Sequence, residues 1–283
     1  MMDHDTTPEA STPSYTMGYS PEFLQLLERR NATVAAAHLL PRLRHGMRLL
    51  DLGCGPGTIS VGLAEAVAPG EVRAIDMEET QIDMARAAAR AGGHENAFFQ
   101  TGDATDVPFE DASFDVVHCH ALLNHAPATQ AVLAEAMRVL KPGGLIAARE
   151  LVGDSSFVEP GHYLGAIGGA EGDAWATFLK LLAANGGHPQ MGKELKRAFA
   201  AAGFVDIHAT ASFETFTSAE DLAFLRGLID GWFFAPVTMG AAIKMGLATQ
   251  DAFDGWRDGL DRWKTEPGAF AAFAWGEAVG RKP

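Results

Sequence analysis

Between residues 47 and 150 short apolar runs alternate with segments whose apolar positions recur every three or four residues, which predicts strands and helices by turns. The apolar runs predict strands at 47–52, 72–76, 97–100, 114–119 and 144–150, with helices at 58–68, 79–92 and 128–139. Parallel strands need a crossover between them, so this alternation predicts an α/β fold, a Rossmann-like, doubly wound and mostly parallel sheet. A helix at 191–202, a strand at 204–215 and the closing run FAAFAWGEAVGRK complete seven strands. Upstream, Ser20-Pro21-Glu22 opens a helical pattern over 20–40, a lid helix for any site at the end of the sheet. The stretches at about 151–190 and 218–268 are too long for simple connections and predict two cap insertions, the second largely helical. Residues 1–13 are polar and rich in Pro, Ser and Thr, which predicts disorder and leaves 14–283 as a single domain.

Composition narrows the partners. The formal charge is −14, with 22 Lys and Arg against 36 Asp and Glu. Phosphate backbones are bound by clustered cations, so a nucleic-acid partner is not expected. No run approaches the roughly 20 apolar residues of a membrane span, and the first residues lack the basic and apolar regions of a signal peptide. A cytoplasmic protein with no membrane partner is expected. Two cysteines, Cys54 and Cys119, supply neither a disulfide framework nor a four-cysteine zinc site. No His/Asp/Asp triplet has a plausible metal spacing, so no metal is expected.

The candidate chemistry begins at LLDLGCGPG, residues 49–57. Gly53, Gly55 and Gly57 can take positive φ and present backbone without Cβ atoms, and a helix follows at once. The G-x-G-x-G spacing departs from the G-x-G-x-x-G that admits a dinucleotide pyrophosphate. Asp51 sharpens the difference, because a carboxylate beside the loop repels a pyrophosphate and suits a cationic ligand. Asp76 ends the second strand about 20 residues after the loop, where an acid can accept both hydroxyls of a ribose. Asp103 stands just past the third strand, and Lys141-Pro142-Gly143-Gly144 turns into the fifth.

In order and spacing these segments resemble the class I S-adenosylmethionine (SAM)-dependent methyltransferases. The run LNHAPATQAVLAEAMRVLKPGG is similar to the small-molecule branch that contains the ubiquinone and menaquinone biosynthesis enzymes. The resemblance covers residues 45–150 closely and the rest in outline. It implies SAM as cofactor, S-adenosylhomocysteine (SAH) as product, and transfer of a methyl group to oxygen, nitrogen or carbon of a small-molecule acceptor. It further implies that Asp51, Gly53, Cys54, Gly55, Asp76, Met77, Gly102, Asp103, Ala104 and His120 surround the cofactor, with Tyr19 folding over it from the lid.

His120 follows the fourth strand, with Asn124 and His125 beyond it, and either His120 or His125 can serve as a general base. A free imidazole titrates near pH 6.5, so the rate is expected to rise through about pH 6 to 7.5. Tyr15, His162, Trp175, Trp232, Phe233 and Phe234 are candidates for the acceptor pocket, where the apolar or aromatic character of the acceptor would be read. Packing between cap and sheet uses the same residue types, so for the aromatics both roles stay open. Two other functions stay open as well: a protein that uses SAM for another reaction or for structure alone, and a nicotinamide-dependent oxidoreductase. The G-x-G-x-G spacing and Asp51 speak against the second.

Overall fold

The computed structural model describes residues 21–163 and 173–283. Tyr15 and Tyr19, and the 1–13 segment expected to be disordered, lie outside the described residues. Two helices, α1 (Pro21–Arg29) and α2 (Ala32–Ala35), and a 3-10 turn at Leu40–Arg42 occupy the segment expected to form one lid helix. The helix breaks at Arg30 and Asn31 because Asn31 takes an extended backbone and its side chain accepts the Val34 N–H at 3.2 Å. An Asn at that position starts a new helix rather than continuing the old one.

The central order is β1 (Leu49–Leu52), α3 (Thr58–Val67), β2 (Val72–Asp76), α4 (Glu79–Gly92), β3 (Ala97–Thr101), β4 (Phe114–His120), α5 (Thr129–Val139) and β5 (Leu140–Leu151). There follow β6 (Phe157–Glu159), α6 (Ala174–Ala184), α7 (Met191–Ala201), β7 (Val205–Phe216), α8 (Ala219–Trp232), α9 (Pro236–Lys244), α10 (Gln250–Trp263) and β8 (Phe270–Arg281). Strands β3-β2-β1-β4-β5 are parallel neighbours, and β8 runs antiparallel between β5 and β7. All seven expected strands form, and the three residues of β6 add an eighth by pairing with the start of β8. Within the first insertion, β6 continues the edge on which β5 ends.

Three apolar clusters build the body. On one face of the sheet α2, α3 and α4 pack through Leu39, Ile59, Leu63 and Ile82 onto Leu49, Val116 and Ala147. On the other, α5 and α7 pack through Leu133, Leu195 and Phe199 onto Leu50, Val117 and Ile146. The third cluster belongs to the cap: α1, α6, α8, α9 and α10 bury Phe23, Phe178, Trp232, Phe253 and Trp263 together. Among the described residues no single helix is long and apolar enough to cross a membrane.

Candidate active site

The chain runs from β1 outward to β3 and then returns to β4 on the other side of β1, which opens a crevice at the carboxyl ends of β1 and β4. Ligands of open α/β sheets bind at such a reversal. The glycine loop lies there, with φ of +67° at Gly53, +52° at Gly55 and +77° at Gly57. The three glycines do different work. A Cβ on Gly57 would stand 2.6 Å from the Cβ of Ala85, so that glycine lets α3 meet α4. A Cβ on Gly53 would stand 2.9 Å from Leu122 Cδ1, whereas one on Gly55 would meet nothing nearer than 3.8 Å. At Gly55 a Cβ would therefore make only ordinary van der Waals contacts, with Gln81 and Leu27.

The loop keeps its donors to itself. The N–H groups of Gly53 and Cys54 both donate to Ile75 O, at 2.9 and 3.0 Å, and that of Gly57 donates to Cys54 O. Gly55 N–H donates to Asp76 Oδ2 at 2.9 Å. With its N–H groups engaged, the loop lacks the free donors of a phosphate cradle, and this suits a cationic ligand. Cys54 itself is buried, and burial followed by the charges of Asp51 and Asp76 holds its thiol well above the ordinary range. Neither its N–H nor a thiolate is available to a ligand.

Asp76 also accepts the Glu78 N–H through Oδ1 at 3.1 Å, and burial raises its pKa against those two bonds. Each carboxylate oxygen has a second lone pair, so two further hydrogen bonds can be accepted. Met77 beside it is 73% exposed and belongs to no apolar cluster. Gly102 and Asp103 follow β3 at the same edge, and Asp103 Oδ1 is held by the N–H and hydroxyl of Thr105 at 2.7 and 2.8 Å. Ala104 is half-buried against the α5 side of the core. Gly55, Asp76, Met77, Gly102 and Asp103 thus come together along one end of the sheet.

Asp51 does not join them. Its carboxylate is buried, accepts the Ser60 hydroxyl at 2.5 Å and meets His118 Nδ1 at 2.8 Å. The register of β1 on β4 places Asp51 beside His118, and α3 brings Ser60 down on both. The acid joins β1, α3 and β4 through these two bonds.

His118 and His120 share one face of β4, two residues apart. Next across the sheet from His120 are Arg149 on β5 and then Glu277 on β8. His120 is buried, packs at 5.0 Å on the Trp275 ring, and has no hydrogen-bond partner among the described residues on either ring nitrogen. Burial, then the charges of Arg30 and Arg149, push its pKa well below 6.5. Burial likewise lowers His125 to about 3 and His38 to about 4. Both candidate bases therefore stay neutral below the range of a free imidazole, which places any rise in rate that depends on them at lower pH than 6 to 7.5. Glu150 receives the N–H groups of Leu122, Leu123 and Asn124 at 3.2, 2.9 and 3.0 Å, which fixes the loop after β4. Burial raises it to about 7 although those three bonds favour its charged form.

The candidate acceptor residues separate. Trp175, Trp232 and Phe233 border a small apolar pocket of about 40 Å³ with Phe178, Ile229 and Phe273. The same Trp232 and Phe233 belong to the cap cluster, so wall and core are one structure. Phe234 packs on Phe253 and under Arg257 and is not part of that wall, and His162 is exposed with its ring against Tyr163. A wider groove of about 590 Å³ lies away from the crevice at the β3 edge, where the guanidiniums of Arg73 and Arg86 are paired with Glu71, Glu79 and Asp83. His118, Arg149, Glu150 and Trp275 were not singled out from the sequence. A signal existed in His-x-His on a buried strand and in charged Arg149-Glu150 ending another.

A methyltransferase domain model matches residues 43–203. The chain is 31% identical over 199 residues to an uncharacterized methyltransferase from Schizosaccharomyces pombe, covering 68% of this chain and 69% of that one. It is 34% identical over 150 residues to a protein of Aspergillus luteorubrus named a probable methyltransferase, covering 50% of this chain and 53% of the relative. A demethylmenaquinone methyltransferase of Staphylococcus aureus is 38% identical over 109 residues, or 38% of this chain and 44% of its own. The match thus spans about half the length of two of these relatives. The crystal structure of YcgJ from Bacillus subtilis superposes with a TM-score of 0.59 at 19% identity, over 88% of this chain and 98% of its own, and shares the fold. The chain belongs to the methyltransferase domain family.

Proposed function

We propose that the protein methylates a small molecule with an apolar or aromatic body, enclosed between the carboxyl end of the sheet and the helical cap, without a nucleic-acid or membrane partner. The observation that carries this reading is the joining of Asp76 to Gly55 at the open end of β2, with the bare face of Gly55 and the exposed Met77 beside it. These residues fit SAM: a carboxylate with lone pairs to spare for ribose hydroxyls, a backbone without Cβ, and an apolar side chain for the adenine face. Bound there, SAM supplies a methyl group on a sulfonium, already activated for transfer. Asp103 would accept from the adenine amino group and the Ala104 N–H would donate to the ring. At the acceptor side His120 remains neutral and takes a proton at a ring nitrogen, with His125 the alternative. The aromatic cap excludes water and holds the acceptor in line, which serves methylation at oxygen, nitrogen or carbon equally. The charge of −14 supports a small acceptor over a polyanion.

Calorimetry with Asp76→Ala tests the cofactor assignment. Two hydrogen bonds to a charged acceptor are worth on the order of 1.5–3 kcal/mol each at most, so SAM affinity should drop at least about tenfold. Unchanged affinity removes Asp76 from the site. Radiolabelled SAM incubated with a fractionated extract tests the acceptor: label confined to protein or nucleic acid would overturn the small-molecule reading.

A further inference from the structure

Trp275 stands at the centre of an unusual group. The Arg149 guanidinium lies 4.4 Å from its ring centroid, that of Arg30 lies 5.6 Å away, and the His120 imidazole packs on it at 5.0 Å. Around this one indole, Trp275 Nε1, Arg30 Nε and both ring nitrogens of His120 are buried with no hydrogen-bond partner among the described residues, and Arg149 Nε has only the Glu277 carboxylate at 3.4 Å. Buried donors left unpaired are costly, and three of them around one ring, one each from Trp275, Arg30 and the neutral His120, ask for a shared acceptor. The charges point the same way. Glu277 is the carboxylate beside Arg149, at 3.4 Å, and it already accepts the hydroxyls of Thr210 and Ser212. Glu214 as well as Glu277 acts on Arg149 through its charge, whereas Arg30 has no ion pair among the described residues, so one of the two guanidiniums is left without a carboxylate.

The second half of the argument is the strand that carries Trp275. Side chains two residues apart on a strand share a face, so Phe273 and Trp275 of β8 stand side by side, roughly 7 Å apart along the strand. Phe273 stacks on Trp175 at 5.4 Å and borders the apolar pocket with Trp232 and Phe233. One strand face thus joins an aromatic wall to a cluster of guanidinium, imidazole and indole donors.

We infer that the methyl acceptor is an aromatic or apolar molecule bearing an anionic oxygen, a carboxylate or an ionised hydroxyl, which is received by Arg30, Arg149, His120 and Trp275 while its body lies against Phe273 and the cap aromatics. This rests on the reading of the crevice as a methyl-transfer site and adds the charge class of the acceptor. Arg30 is the residue to change. It is half-buried and carries no carboxylate, whereas loss of Arg149 would strand Glu277.

The probe is 1-naphthoate, compared with the isosteric and neutral 1-naphthamide, titrated by calorimetry into the SAH-loaded protein. The wild type should bind the acid at least tenfold more tightly than the amide. Arg30→Gln should bring the two within about threefold of each other while SAH affinity stays within twofold of wild type. Arg30→Lys, which keeps the charge, should retain most of the preference. Equal affinities for the two probes, no binding of naphthoate to the SAH-loaded wild type, or a preference that survives in Arg30→Gln would each overturn the inference. Failure of SAH itself to bind would instead remove the methyl-transfer reading on which it rests.

Discussion

At the residue scale the sharpest consequence concerns His120. Burial and the neighbouring cations depress its pKa well below 6.5, so the neutral, proton-accepting form persists as pH falls. If His120 is the base, the acid limb of kcat/KM should lie well below pH 6.5, and His120→Ala should abolish it while leaving SAM affinity intact. A limb centred near 6.5 would describe a solvated imidazole and count against the assignment. Asp51 shows where single-residue reading fails. Its spacing to Gly53 marks the loop correctly, yet the partner that claims its carboxylate is His118, 67 residues away. Only the strand register makes the two neighbours. Asp76 was more legible because the end of its strand and the glycine loop are both local signals.

At the scale of elements, the glycine loop separates packing from binding. Gly57→Ala puts a methyl 2.6 Å from Ala85 Cβ and 2.9 Å from its Cα, in a left-handed conformation, so overpacking adds to backbone strain. A loss of roughly 2–5 kcal/mol in unfolding free energy is expected. Gly55→Ala meets no such contact and should cost only about 1–2 kcal/mol, the strain of left-handed backbone, but should weaken SAM binding more than its effect on stability suggests. Denaturant melts and SAH calorimetry on both variants check this, and equal losses of stability would refute the division of roles. The elements themselves were largely readable. Central strands buried on both faces give unbroken apolar runs, and β1 is buried at all four positions. The long helix expected over 20–40 failed because Asn31 caps within it, and β6 escaped notice because three residues carry no period.

For the whole molecule, the cap and the sheet enclose titratable groups whose balance sets acid stability. His38, His120 and His125 are neutral in the folded protein to about pH 4, to well below 6.5 and to about pH 3, whereas in the unfolded chain they take up protons near 6.5. Each therefore favours unfolding as pH falls below 6.5. Glu150 acts oppositely: raised to about 7 from an unfolded value of 4.5, it keeps its proton in the fold, and its contribution is lost as pH rises through 7. Between about pH 4.5 and 6.5 the unfolded chain gains a proton on each of His38 and His125, with His120 acting in the same direction, and lacks the one on Glu150, a net excess of at least about one. Linkage then makes stability fall on acidification by roughly 1.4 kcal/mol per pH unit, the worth of one proton. Guanidinium melts at pH 6.5 and 5.5 measure that slope, and His125→Asn should lower it. Burial holds the imidazoles neutral, and an enclosed acceptor site would need the same exclusion of water. A stability that stays level or rises between pH 6.5 and 5.5 would mean these histidines are open to solvent, and the enclosed site would go with them.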